Sequence, residues 1–353
     1  MTMRLMTNNF AHTFIVTAIL FLGTSSLFAD PSIELIQKGI ALSIEQKYDQ
    51  ALSIFEAMKH TYPDHPAGAF FTAAVLQSRM MDFETGKWQE LFYQEIDQAV
   101  RLAKQQLADN PQDSQMLFFY GAALGYKSFQ LGRNKKYLSA IKTALSSMKR
   151  LNKAIELDSS FCDPYLGVGS YKYWRSNLTQ KISWLPFFHN RKQQGIAMLE
   201  RALRCSLFSK WAALSNLAWI SIEEKDYDAA IKYSRMGLEH FPHSRFFMWP
   251  LAEAQFKNGQ YQQALASYTD LLQSVTSASF NNHYNEIHLY WKIAQCYDRL
   301  GKPELAIQAC QKLLAIVPDK EVEKRAKDKK EKAKKLMSKI LSDQKARPKL
   351  SSF

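Results

Sequence analysis

The 353-residue sequence is poor in the residues that usually announce chemistry or irregularity. It holds only four cysteines, 13 glycines and 11 prolines, which excludes a disulfide-scaffolded miniprotein and a Gly/Pro-rich disordered chain. Four of the eight histidines come in isolated pairs. His60 with His65, and His240 with His243, lie near helix ends that stop at proline, without the cysteine or carboxylate companions of a closed metal site. Gly167, Val168, Gly169 and Ser170 fall inside a helical pattern, with no strand before them and no phosphate-loop lysine after them. Glu223 and Glu224 read as a solvated helix end. Asn177-Leu178-Thr179 is a glycosylation acceptor only in a eukaryotic cell. No catalytic residue, metal or other cofactor is expected, and an enzyme here would need residues dispersed beyond recognition.

Long apolar runs are equally scarce. One runs from Phe14 to Leu22, with Arg4 ahead of it and Leu27-Phe28-Ala29 behind it. This reads as a signal peptide over residues 1–29, cleaved near Ala29. The run is short for a bilayer span, which disfavours an uncleaved anchor, and no cysteine follows it to carry a lipid. The expectation is a soluble mature chain, periplasmic or secreted, and export disfavours nucleic acid as a partner.

What the sequence does have is apolar and aromatic material, 46% and 13% of residues, enough for a sizeable core, and a period. Tyr227, Ala230, Gly237 and Pro242 are followed 34 residues after the first three by Tyr261, Ala264 and Leu271. Gly301, Ala306, Leu313 and Pro318 make a further copy shifted by a short insert, and Gly39, Tyr48, Ala51, Phe55, Met58 and Pro63 an earlier one. The physical reading is a helical hairpin. Alanine lets the second helix approach the first, apolar residues four and seven positions on fill the seam, and proline stops the second helix so the chain can turn. One hairpin cannot bury both faces, so several must stack.

In the middle of the chain the period is 48. Units begin near Pro66, Ser114, Cys162 and Lys210, with Phe70 aligned to Phe118 and Gly121 to Gly169. The added 14 residues are two heptads, one for each arm, so the apolar faces stay in register. Longer helices are predicted there, one over about 134–157. The segment 181–190 must contain a loop at Pro186.

These spacings resemble the tetratricopeptide repeat, and the central units resemble exported bacterial repeat proteins with extended repeats. The resemblance implies an all-α fold: a right-handed α-solenoid of about seven hairpins over 30–320, in units 32–65, 66–113, 114–161, 162–209, 211–244, 245–278 and 287–320. It also implies an open, curved rod whose first helices line a concave groove. Mapped onto this sequence, the groove positions collect Phe118, Tyr126, Tyr173, Trp174, Trp219, Trp249, Phe256 and Trp291. An aromatic stripe suits a protein or peptide partner, although aromatics at helical spacing also serve as core. The carboxylate-clamp positions of some relatives carry Ser215, Trp219, Pro250, His288 and Lys292 here, and only the last matches, so an extended or helical segment held by apolar contacts is the expected ligand. The implied role is a non-enzymatic scaffold in cell-envelope assembly or regulation.

Two further contacts are open. The loop residues Trp184, Leu185, Phe187 and Phe188 either fold back or meet a membrane or protein surface. Residues 321–353 hold 12 basic and five acidic residues, contributing +7 of the net +13. Val322, Ala326, Ala333, Leu336, Met337, Ile340 and Leu341 fall mostly on one face there, giving a Lys-rich capping helix and tail. The alternative is binding to an anionic polymer or lipid headgroup. Cys162 with Cys205, and Cys296 with Cys310, occupy neighbouring hairpin positions; each pair is either a disulfide or two small core residues.

Overall fold

The computed structural model describes residues 31–179 and 190–346. The signal-peptide reading of 1–29 and the loop residues Trp184, Leu185, Phe187 and Phe188 lie outside them. Among the described residues there are 15 helices and no strand. Fourteen helices form seven antiparallel hairpins: α1 (Ile33–Ile44) with α2 (Tyr48–Thr61), α3 (Ala67–Asp82) with α4 (Gln89–Asp109), α5 (Ser114–Arg133) with α6 (Tyr137–Leu157), α7 (Pro164–Leu178) with α8 (Lys192–Cys205), α9 (Lys210–Glu223) with α10 (Tyr227–His240), α11 (Arg245–Lys257) with α12 (Tyr261–Thr276), and α13 (Tyr284–Arg299) with α14 (Pro303–Ala315). The last helix, α15 (Lys320–Ala346), lies along α13 and α14 with Val322, Ala326, Ala333 and Ile340 buried and Leu341 exposed.

The small residues mark the crossings. Ala51, Ala230, Ala264 and Ala306 have no exposed surface. A Cβ on Gly195 would stand 2.7 Å from the Gly169 carbonyl oxygen and 2.8 Å from the Tyr173 nitrogen, so α7 and α8 meet backbone to backbone there. The long central arms are present, 20 residues in α5 and 21 in α6. α6 starts at Tyr137 rather than near 134, because the hairpin tip needs a left-handed residue and Lys135 supplies it at φ 60°. The same device recurs at Gln46, Glu84 and Lys225, and with glycine at Gly259 and Gly301.

The rod does not stay open. The tips of the first two hairpins meet the turns between the fifth, sixth and seventh, and the residues at that seam are complementary. Arg245 Nε and Nη2 donate to the two carboxylate oxygens of Asp82 at 2.8 and 2.5 Å, with both side chains under a tenth exposed. Ser244 Oγ donates to the Ile44 carbonyl at 2.7 Å and the Arg245 amide to Gln46 Oε1 at 3.0 Å. Asn285 Nδ2 donates to the Asp82 carbonyl at 2.5 Å, and Arg325 of α15 to the Glu84 carbonyl at 2.7 Å. Apolar groups close the rest. Phe280 stacks edge-on against Phe83 and Trp88, with ring centroids 5.2 and 5.6 Å apart, and Ile44 joins Leu214, Phe241 and Phe247 in one cluster.

A second cross-link is covalent. Cys162 and Cys205 form a disulfide, whereas Cys296 and Cys310 are buried free thiols, pushed by burial up to about 12 and about 11. With its cysteines 43 positions apart in sequence, the disulfide stabilises by about 4 kcal/mol in the chain-entropy account. Beside it, Asp163 accepts from the amides of Leu207, Phe208 and Ser209 at 3.0, 2.9 and 2.7 Å. Burial still pushes its carboxyl above the ordinary range. Together they fix the turn before α9, whose Phe208 ring sits 5.6 Å from Phe71 and 6.5 Å from Phe118.

Candidate partner-binding face

Seam and turn divide the inner aromatic side chains into two groups. Phe118 is 4% exposed and belongs to the cluster formed with Phe70, Phe71, Phe119 and Phe208. Tyr126 packs on Phe70 at 5.5 Å, with its hydroxyl pushed above the ordinary range by burial. Tyr173 has no exposed surface; its hydroxyl donates to Glu224 Oε1 at 2.6 Å, and burial first, then that carboxylate, raises it. Trp174 stands edge-on to Tyr173 at 5.1 Å and is half-buried. On α5 and α7, Phe118 and Tyr173 therefore serve the core, the other use that aromatics at helical spacing have, while Tyr126 and Trp174 pack against it half-buried.

The second group is more open. Trp219 on α9 is 39% exposed. Trp249 and Phe256 on α11 and Trp291 on α13 are partly buried against the C-terminal core and keep one side free of it. α9 packs against α11, and side chains bridge α11 to α13 through Trp249 with His288 and Glu253 with Lys292, so the inner sides of the three first helices adjoin. The Trp249 ring lies 5.7 Å from His288. Lys292 Nζ stands 4.9 Å above Phe256 and donates to Glu253 Oε2 at 2.6 Å, and the Tyr268 hydroxyl donates to the same oxygen at 2.9 Å.

These contacts decide the electrostatics. Burial alone would raise Glu253, but Lys292 and Tyr268 hold it below the ordinary carboxylate range. Burial, then the charges of Lys329 and Lys292, push His288 down to about 4, so the ring is neutral at neutral pH. The one clamp position that matched, Lys292, is thus already neutralised within the chain. Ser215 and Pro250 are buried. The face offers flat aromatic surface beside an internally balanced ion pair, a surface for apolar side chains rather than for a free carboxylate. Glu253 carried no sequence signal, since its partner sits 39 residues away, outside either repeat period.

Elsewhere the chemistry is sparse. Among the described residues no group of three or more His, Cys, Asp or Glu could hold a metal ion, and no helix is long and apolar enough to cross a membrane. An open depression of about 510 Å³ lies on the opposite, second-helix side, lined by Asp228, Lys232, Arg235 and Glu239 of α10. Its charges are mixed and it adjoins none of the aromatic residues above.

Fold and face together define an all-α solenoid of helical hairpins. Its sixth and seventh hairpins, residues 245–319, match the tetratricopeptide repeat family model. No curated protein matches the chain in sequence. Among solved structures it is similar to the Cut9–Hcn1 hetero-tetramer of the APC/C, at 13% identity over 91% of this chain and 52% of that one with a TM-score of 0.55. It is also similar to PilW, a widely conserved type IV pilus biogenesis factor (17% identity, 69% of this chain, 92% of that one, TM-score 0.45). A third is YrrB, a TPR protein with an unusual peptide-binding site (16%, 64% and 97%, TM-score 0.43). At such identities these likenesses concern the fold alone.

Proposed function

We propose that the chain is an exported, non-enzymatic scaffold that holds an extended or helical, apolar segment of a partner protein across the inner sides of α9, α11 and α13, in the assembly or regulation of envelope structures. The observation that carries this reading is the exposure of Trp219 beside the half-open Trp249, Phe256 and Trp291. Flat aromatic side chains give large contact area for little lost rotamer freedom, which is why binding hot spots favour them. Export is supported by the Cys162–Cys205 disulfide, a bond that persists in oxidising compartments, and by the composition of residues 1–29. The internal pairing of Lys292 with Glu253 favours an internal segment over a chain terminus as ligand.

The test is site-directed cross-linking in the native envelope. A photoreactive phenylalanine in place of Trp219 or Trp249 should trap one defined partner, and Trp219→Ala with Trp249→Ala should abolish its co-purification. The same probe at Lys232, on the opposite side, should trap nothing. Equal trapping from all three positions, or co-purification that survives the double substitution, removes the groove.

A further inference from the structure

The long third hairpin leaves an apolar edge uncovered. Leu138, Ile141 and Leu145 are 86%, 59% and 55% exposed, and with Met148 and Asn152 they recur every three or four residues, which places all five on one side of α6. α7 covers the C-terminal part of that side. It has only 15 residues against 21 in α6, however, and ends at Leu178, so the N-terminal part stands without a helical neighbour among the described residues.

Where the covered and open parts meet, Met148 and Asn152 of α6, Lys172, Arg175 and Ser176 of α7, and Arg191 help line a cleft of about 110 Å³. The lining includes three cations and no carboxylate, and none of the three has a carboxylate partner among the described residues. Burial, then the charge of Arg191, push Lys172 below the ordinary lysine range. Lys142 and Lys149 are exposed and flank the apolar edge. From Lys135 to Lys153 the chain carries Lys135, Lys136, Lys142, Lys149, Arg150 and Lys153 and no acidic residue.

An apolar strip bordered by lysines, running into a small cationic cleft, fits an anionic amphiphile. Face-to-face contact with a second copy would bring the lysines of both chains together, which like-charge repulsion opposes. We propose that this edge docks on the surface of an anionic phospholipid bilayer, with Leu138, Ile141 and Leu145 entering the boundary between headgroups and acyl chains and Lys172, Arg175 and Arg191 holding a lipid phosphate. The edge lies on the third and fourth hairpins and is independent of the aromatic face on the last three.

Flotation of the full chain with vesicles tests the proposal, using phosphatidylglycerol and phosphatidylcholine in equal parts against phosphatidylcholine alone. The wild type should float with the anionic vesicles only. Lys172→Gln/Arg175→Gln/Arg191→Gln should weaken binding by roughly a hundredfold, at about fivefold per cation, and Leu138→Ser/Ile141→Ser/Leu145→Ser by at least about tenfold. Lys142→Gln/Lys149→Gln touches only exposed side chains, leaves the fold intact and should weaken binding by about twentyfold. Soluble glycerol phosphate should not release the bound chain. Absence of flotation, equal flotation with neutral vesicles, or an exposed-lysine variant that binds like the wild type overturns the proposal. So does full release by glycerol phosphate, which makes the cleft a site for a free anion. A serine triple variant that floats like the wild type but unfolds at lower denaturant also overturns it, making the edge a seat for the chain's own residues 180–189.

Discussion

Phe118 on α5 and Trp219 on α9 both lie on the inner side of a first helix, yet one is 4% exposed and the other 39%. Local sequence does not separate them, for each sits in an apolar helix beside small residues. What differs is the far side. Phe118 faces Phe208, carried there by a turn that the disulfide and Asp163 hold in place, while Trp219 has no ring neighbour among the described residues. In a solenoid that closes on itself, a repeat position fixes the direction of a side chain, and residues far along the chain fix whether it is covered.

The largest way to break this contrast is to cut the seam. Arg245→Ala leaves the Asp82 carboxylate buried without its cation, held only by the Tyr48 hydroxyl at 3.0 Å, and should cost about 3–5 kcal/mol in chemical denaturation, with a larger radius of gyration in solution scattering. Replacing both partners together, by Arg245→Met with Asp82→Leu, should recover much of that loss. The two aromatic positions sharpen the comparison further. Phe118→Ala should destabilise by about 3–5 kcal/mol, whereas Trp219→Ala should cost under about 1 kcal/mol and show its effect in partner capture instead; equal losses would erase the distinction between the two halves. The effect confined to acid pH concerns His288. The unfolded chain takes up its proton near the ordinary histidine value of about 6.5, whereas the folded chain does so only at about 4. The folded pKa is the lower one, so this contribution to stability is complete above the first value and lost as pH falls towards the second. His288→Asn should flatten the dependence of the denaturation midpoint on pH in that window, and an unchanged slope would assign it to another group.

The fold was legible because its cause is local. Alanine at the crossings and proline after the second helix recur from hairpin to hairpin, and both fix helix borders within a few positions; the start of α6 shifted only because the tip needed Lys135 in a left-handed turn. Neighbouring positions within a hairpin made Cys162–Cys205 a candidate bond, but the same arithmetic applied to Cys296 and Cys310, which remain thiols. The seam carried no such signal. It is written in residues at helix ends, Asp82, Ser244, Arg245 and Asn285, whose partners lie 163 to 203 residues away. For that reason the aromatic stripe could be placed on the inner sides of the helices, while its division into buried and open halves could not.

The seam also alters how the molecule comes apart and comes together. A solenoid with contacts only between adjacent repeats can fray one unit at a time from either end. Here Ile44 is tied to Ser244 across 200 residues, so loosening the first hairpin uncovers the fifth and sixth, and melting becomes concerted. Assembly inherits the reverse constraint. Phe70, Phe71 and Phe118 emerge early in synthesis and remain uncovered until Phe208 and Arg245 have followed them, an interval of slow, long-range closure in which the first half is most open to aggregation.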